Sequence, residues 1–415
     1  MLKYSDVFVP GGFPRHTYNP RDARKIEGQL SEVKENLCKL VTVTGHTKSG
    51  KTVLTRKILP TSDSVWVDGG AVTTEDDLWT SVLDQLDGYT DHEATDDKTS
   101  TNSISAKATA GANYIVVKGE GEVGVEHERA KSSGTGRARK VSNRVAALSA
   151  LRAATRPLVI DDFHYLPKEL QGSIVRALKP LVFDGVPVVI IAIPHRRYDA
   201  VKVEREMTGR ILPMTIPTWS EAELSYIPTK GFPLVSIGLP ESISSALAKE
   251  AIGSPHLMQE FCRGVARHAI SNGTSIIGPD LDLSPVFRDV ANTIGRPIFE
   301  KLAKGPRQRS DRVKRKLKTG GQADIYELVI HALAYIKPDL ITLEYEDLRA
   351  AIREVTSGAI PQLHEVARVL KHMATIASTD QSSTPVIDFD DVDKKLHITD
   401  PFFAFYLRWG DMSGS

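Results

Sequence analysis

The sequence predicts an α/β protein: a parallel sheet covered by helices, then a small helical domain, then a C-terminal domain of three helices and a hairpin. Three observations carry this. Apolar, β-branched runs (Leu40 to Val43, Leu158 to Ile160, Val186 to Ile193) alternate with helix-forming stretches, the pattern of strands buried on both faces. The first run enters the glycine-bounded loop Gly45-His46-Thr47-Lys48-Ser49-Gly50-Lys51-Thr52 and continues as helix until Pro60. From Trp219 onward strand-like runs give way to helical periodicity, and short strands return only near the C-terminal end.

The bulk numbers fit this. A chain of 415 residues holds two or three domains, and 41% apolar with 25% charged residues is ordinary for a soluble protein. A formal net charge of +1 excludes a polycation, so any nucleic-acid surface must be local. Two cysteines, Cys38 and Cys262, make no disulfide framework and have no metal spacing, which points to a reducing cytoplasm. The N-terminus lacks a signal-peptide layout and no apolar run reaches the length of a membrane span, so the expectation is a soluble cytoplasmic protein with no membrane partner.

Taken in order, residues 1–20 are Pro/Gly-rich and read as extended. Arg21 to Asn36 reads as one amphipathic helix, with Ile26, Leu30 and Val33 at helical spacing. Ser64 to Val67 reads as the second strand and Glu75 to Leu86 as a helix. Asp91 to Asn102 is polar and reads as a loop, Ala112 to Glu126 as a hairpin, and Lys131 to Arg139 as a basic polar stretch. Ser142 to Ala154 and Lys168 to Leu178 read as helices, and Leu212 to Ile216 as a last short strand. Ser220-Glu221-Ala222-Glu223 is a capping box. Pro240 to Ile252 and Ser254 to Ala269 are helices with apolar faces. Arg307 to Lys318 is a basic cluster closed by Gly320-Gly321. Three helices follow (Ala323 to Ile336, Tyr345 to Glu354, Leu363 to Ile376), then strands Val386 to Phe389 and Leu396 to Ile398. The aromatic segment Pro401 to Trp409 must pack on the fold.

Chemistry concentrates at the carboxyl ends of the strands. Gly45 and Gly50 let loop N–H groups converge, and the new helix adds partial positive charge, which makes a phosphate site. Lys51 is placed to reach the β/γ-phosphates, and the Thr52 hydroxyl to hold Mg2+. Leu158 to Ile160 ends in Asp161-Asp162, which looks like a Walker B motif. Asp161 would hold Mg2+ through water, and Asp162, on the opposite face of the strand end, would polarise the attacking water. His195 is placed to sense the γ-phosphate, or is a surface turn histidine. The absence of an N-K-x-D motif favours ATP over GTP. The excess length between Lys51 and Asp161 marks about residues 90–137 as an insertion.

With GHTKSGKT, LVIDDFHYLP, GSPH and HITDPFFAFYLRW in hand, the chain resembles P-loop ATPases of the AAA+/STAND group, nearest in layout to archaeal-type ATPases and origin-recognition-like proteins. The resemblance implies an N-terminal extension with an adenine-side helix (1–37), a P-loop core (38–218), a helical lid (219–275) and a C-terminal winged helix (280–415). It implies that the segment Tyr18 to Arg21 contacts adenine and that Gly253-Ser254-Pro255 brings the lid to the nucleotide. His256 stands where many lids carry a sensor arginine. The nucleotide set is then Gly45 through Thr52 with Val53, Arg21, His195 and Pro255. Lys51 and Asp162 are the catalytic pair, and Arg196, Arg197, Arg205 and Arg210 are arginine-finger candidates. Asp162 replaces the glutamate common in AAA+ proteins, which favours a slow switch over a motor.

Three functions follow as expectations. One is an ATP/ADP-dependent switch controlling assembly, as a homo-oligomer or with a separate effector protein, in the manner of bacterial or archaeal defence or stress regulators. One is a DNA-binding ATPase, with Arg307 to Lys318 and a recognition helix, Leu363 to Ile376, carrying Arg368, Lys371 and His372 beside Glu365 to duplex DNA. The third is a scaffold that keeps ATP for stability.

Overall fold

The apolar runs become the sheet. In a computed structural model, residues 2–35, 37–86, 91–94, 137–193, 209–306, 312–340, 342–379, 385–391 and 393–412 are described. They divide into two compact units, one of residues 29–43 and 55–214, the other of residues 1–28, 44–54 and 215–415. Among the described residues no helix is long and apolar enough to cross a membrane.

In the first unit, β1 (Leu40–Thr44), β2 (Val65–Asp68), β5 (Leu158–Asp161), β6 (Val188–Ala192) and β7 (Ile211–Thr215) form a sheet in the order β2-β5-β6-β1-β7. Val65 to Asp68 pair in parallel with Leu158 to Asp161, and Leu158 to Ile160 with Val188 to Ile190. β1 and β6 are buried along their whole length, as strands covered on both faces require. Pro213, which cannot donate to a ladder, is tolerated because β7 is an edge strand. The helix Glu75–Gln85 begins with a capping box between Thr74 and Asp77.

Two readings of this unit change. The helix expected to end at Leu178 runs to Phe183 with Pro180 inside it. Leu178, Leu181 and Val182 are all fully buried, and their burial offsets the hydrogen bond that proline removes. The start of the polar stretch read as a loop is a strand: β3 (Asp91–Ala94) pairs antiparallel with β4 (Arg137–Lys140), setting Asp91 opposite Lys140. The sequences Asp91 to Ala94 and Arg137 to Lys140 carry no apolar alternation, so periodicity did not reveal the pairing. The hairpin expected at Ala112 to Glu126 lies outside the described residues.

In the second unit, the helices Glu221–Leu234, Glu241–Glu250 and Pro255–Ser271 follow the expected layout. The N-terminal arm is not simply extended. Tyr4–Val7 is a short helix, Phe8 lies 5.0 Å from Phe232, and Gly231 admits it: a Cβ there would stand 2.3 Å from the Phe8 ring. Gln259 holds the arm, accepting from Val9 N (3.1 Å) and donating to Thr17 Oγ1 (2.7 Å). The single helix read over Arg21 to Asn36 is broken into Asp22–Arg24, Ile26–Ser31 and Glu32–Lys34, although Ile26, Leu30 and Val33 are all buried as their spacing predicts. Arg21 and Lys25 adopt left-handed backbone (φ 54 at both), which no α-helix accommodates.

A 21-residue helix, Ser284–Lys304, joins the lid to the C-terminal part and was not read from the sequence. Pro297 and Gly295 obscured it. Gly295 is needed, since a Cβ there would meet Tyr406 at 2.4 Å, and so this helix packs on Pro401–Trp409. Beyond it stand the helices Ile325–Ile336, Tyr345–Val355 and Leu363–Thr379. The two expected strands, β11 (Ile387–Asp390) and β12 (Lys395–Ile398), gain a third, β10 (Thr342–Glu344), in the order β10-β12-β11. The basic cluster begins outside the described residues. Its later part folds into a ribbon, β8 (Arg315–Lys316) against β9 (Gln322–Ala323), turned by Gly320 and Gly321 at φ 96 and 82.

Candidate functional site

The loop after β1 is built round two glycines for two reasons. Gly45 has no room for a side chain: a Cβ would lie 3.0 Å from both Ile216 O and Ser49 Oγ. Gly50 stands at φ 89, where other residues are strained. The helix Lys51–Ile58 starts next, with Leu54 N donating to Gly50 O at 2.9 Å. Lys51 is buried, and its Nζ donates to the carbonyls of Gly45 (3.0 Å) and His46 (2.9 Å), so the ammonium is held over the loop. Burial and the Lys51 charge lower the pKa of His46, which keeps that imidazole neutral at pH 7. The Ser49 and Thr47 hydroxyls are buried without a hydrogen-bond partner. Thr52 and Val53 are half-buried in the first helical turn. A cationic side chain, glycine backbone and unsatisfied hydroxyls together fit a phosphate group.

The same unit brings Trp219 and Pro255 to this loop, with Arg21 behind Trp219. The Pro255 ring comes within 4.0 Å of where a Gly50 Cβ would be, so the helix Pro255–Ser271 starts against the loop. Gly253, at φ 65, makes the turn into that helix, and Ser254 caps it by accepting from Leu257 N. Trp219, which sequence reasoning missed, donates from Nε1 to Ser49 O at 2.9 Å. A tryptophan directly before a capping box, at a domain junction, was the available signal. Arg21 lies over the Trp219 ring at 4.7 Å and donates to Pro217 O (3.0 Å), Thr218 O (3.2 Å) and Glu223 (3.0 Å). Its guanidinium is committed to the start of the lid, so Arg21 is a strut there.

His256, at the position the resemblance compared with a sensor arginine, packs as a neutral ring. Its ring meets Phe402 edge-on at 4.8 Å, and burial, then the nearby Lys48 charge, lower its pKa to about 4. It is neutral at pH 7. The sign of its pH effect follows. Below about pH 6.5 the unfolded chain binds a proton that folded His256 refuses until about pH 4. Stability therefore falls with pH through that window, by up to about 3 kcal/mol. Urea unfolding from pH 7 to 4 is expected to show a shallower fall in His256→Gln than in the wild type, and equal falls would refute it.

In the other unit, β5 ends at Asp161, and Asp162 leaves the strand in a left-handed turn at φ 50. Strand alternation therefore does not set its direction. Asp161 Oδ1 accepts from Asp162 N at 2.9 Å, and His164 Nδ1 lies 4.0 Å from Asp162 Oδ1. Gly69 makes this turn possible, since a Cβ would stand 2.6 Å from Asp162 O. Arg210, a finger candidate, lies over the Phe183 ring of its own unit at 5.5 Å. His195, Arg196, Arg197 and Arg205 lie outside the described residues.

The C-terminal basic residues are largely engaged. Arg312 pairs with Asp324 at 2.7 Å and lies over Tyr326, Arg315 pairs with Glu365 at 3.7 Å, and Lys318 with Glu354 at 3.4 Å. On the expected recognition helix, Lys371 pairs with Asp391 at 2.5 Å and His372 shares a 2.7 Å hydrogen bond with Tyr326. Lys314, Lys316 and Arg368 are exposed.

No protein-family model matches the chain, and no curated protein matches it either. Solved structures do. The Walker-type ATPase PABY2304 of Pyrococcus abyssi is 15% identical over 97% of this chain and 99% of its own, with a TM-score of 0.54. Cdc6p from Pyrobaculum aerophilum (14% identity, 97% and 96% covered) and the Aeropyrum pernix Orc1 protein in complex with DNA (12%, 98% and 95%) each align at a TM-score of 0.45. Over nearly its whole length, the chain has the α/β fold of a Walker-type P-loop ATPase.

Proposed function

We propose that this protein is an ATP-binding, slowly hydrolysing molecular switch whose nucleotide state controls assembly or engagement of a partner. One observation carries the reading: a phosphate-type loop is touched at once by the lid, through Pro255 and Trp219, and by the C-terminal helix, through Lys48 beside Phe402. A loop so connected can report its occupancy to both. Lys51 binds the phosphates, and the Walker-type sequence pattern assigns Mg2+ to Thr52 and Asp161. The ion, when bound, offsets the negative charge that grows in phosphoryl transfer. Asp162 orients water and accepts its proton. Its side chain is shorter than glutamate, which agrees with slow turnover. On this reading the lid spans about 219–275 and the part from about 280 is a winged helix that meets a partner protein or a second copy. The duplex-DNA alternative retains Lys314, Lys316 and Arg368 and is the weaker reading.

Asp162→Asn separates the switch from a scaffold. Its turnover of ATP in steady-state phosphate release is expected to drop about 100-fold or more, with nucleotide still bound. Unchanged turnover would remove Asp162 from the mechanism, and a wild type without turnover would favour the scaffold.

A further inference from the structure

Lys48 stands in the phosphate loop at φ 60, a region disfavoured for residues other than glycine, asparagine or aspartate. Its ammonium lies 5.2 Å from the centre of the Phe402 ring. Its charge also acts on His256 and on Asp400, which is buried. Asp400 accepts from Phe402 N (2.7 Å) and Phe403 N (3.0 Å), which fixes the first turn of the Pro401–Trp409 helix. His256 closes the group by meeting Phe402 edge-on. The far end of the helix is tied separately, with Trp409 Nε1 donating to Glu250 at 2.8 Å and Arg408 pairing with the same carboxylate at 3.3 Å. The strained lysine thus touches the helix start, while the helix end is held by the lid.

From these contacts we infer that the Asp400–Phe403 turn is a latch on the phosphate loop, which a bound phosphate releases by drawing the Lys48 ammonium away from Phe402. The inference rests on the phosphate-loop reading above. The direction follows from the relative strength of the two contacts. A half-solvated cation–π contact is weak, whereas an ammonium–phosphate contact is a charge-assisted hydrogen bond. Phosphate therefore wins Lys48, and the helix start loses a neighbour while its far end stays tied.

Hydrogen exchange on the full chain tests this. Without nucleotide, Lys48→Gly, whose φ suits glycine, and Phe402→Leu, which keeps an apolar side chain but loses the ring face, are each expected to speed exchange at Phe403 to Leu407 by about five- to tenfold. Mg-ADP is expected to speed the same amides in the wild type and to add nothing in Lys48→Gly. Unchanged exchange in both variants overturns the latch. So does a wild type that binds a fluorescent ADP analogue with no change at these amides, and in that case nucleotide binding stands. A wild type that binds no nucleotide removes the phosphate reading and the latch with it.

Discussion

Lys51→Ala is expected to weaken ADP and ATP binding by at least about 100-fold, because it removes the one buried cation of the phosphate loop described in its unit. Hydrogen bonds to charged groups contribute about 1.5–3 kcal/mol each, and a P-loop lysine makes two such contacts to phosphates. The fold should survive. The lost contacts are two hydrogen bonds, from Nζ to Gly45 O and His46 O. Titration of a fluorescent nucleotide measures the affinity directly. A thermal scan provides an independent check: at 100 times Kd, ADP should stabilise the wild type by about 2.7 kcal/mol, and that gain should vanish in the variant. Wild-type affinity in Lys51→Ala would mean that the loop is not a phosphate site.

The second large effect is structural. Glu223→Ala is expected to cost about 3–5 kcal/mol, because it leaves the Arg21 guanidinium, 1% exposed, without its carboxylate. Glu223 also accepts from Ser220 N (2.8 Å) and from Arg24 (3.0 Å). Burial alone would raise its pKa. The Arg21 hydrogen bond, then Ser220 and Arg24, overcome that and hold it at about 2. The sign is that of a depressed carboxylate: the contribution is complete above about pH 4.5 and is lost as pH falls toward 2. Replacing both partners should cost less than the single change adds up to, since no unpaired charge remains. Urea unfolding of Arg21→Met, Glu223→Ala and the double variant at pH 7 gives the coupling. Additive losses would show that the pair acts as two separate contacts.

How much of this was legible beforehand depends on the range of each interaction. The loop Gly45 to Thr52, the Asp161-Asp162 strand end, the Ser220–Glu223 capping box and the apolar strands are written in neighbouring residues, and they were found. The broken helix after Arg21 was missed because Arg21's partners at Pro217, Thr218 and Glu223 lie about 200 residues away. Those partners hold its side chain, while its backbone stands at φ 54, outside a helical pattern. The Ser284–Lys304 helix was hidden by a glycine whose reason, the Tyr406 ring, is supplied by the last helix of the chain. The ion pairs of the basic cluster with Asp324, Glu365 and Glu354 were not legible, because those acids come from three later segments of the chain.

By itself, then, the sequence determined the strand–loop–helix around Gly45 to Thr52, the acids that end β5, and the helical character of the segment after Trp219. Backbone turning, capping and alternation act over a few residues, and their chemistry is readable in order. Only the tertiary structure decided which side chains attend that loop: Trp219 on Ser49, Pro255 beside Gly50, and Lys48 over Phe402. It also decided that Arg21 is a strut and His256 a neutral ring. Those roles come from packing and desolvation between distant segments, and no local spacing records them.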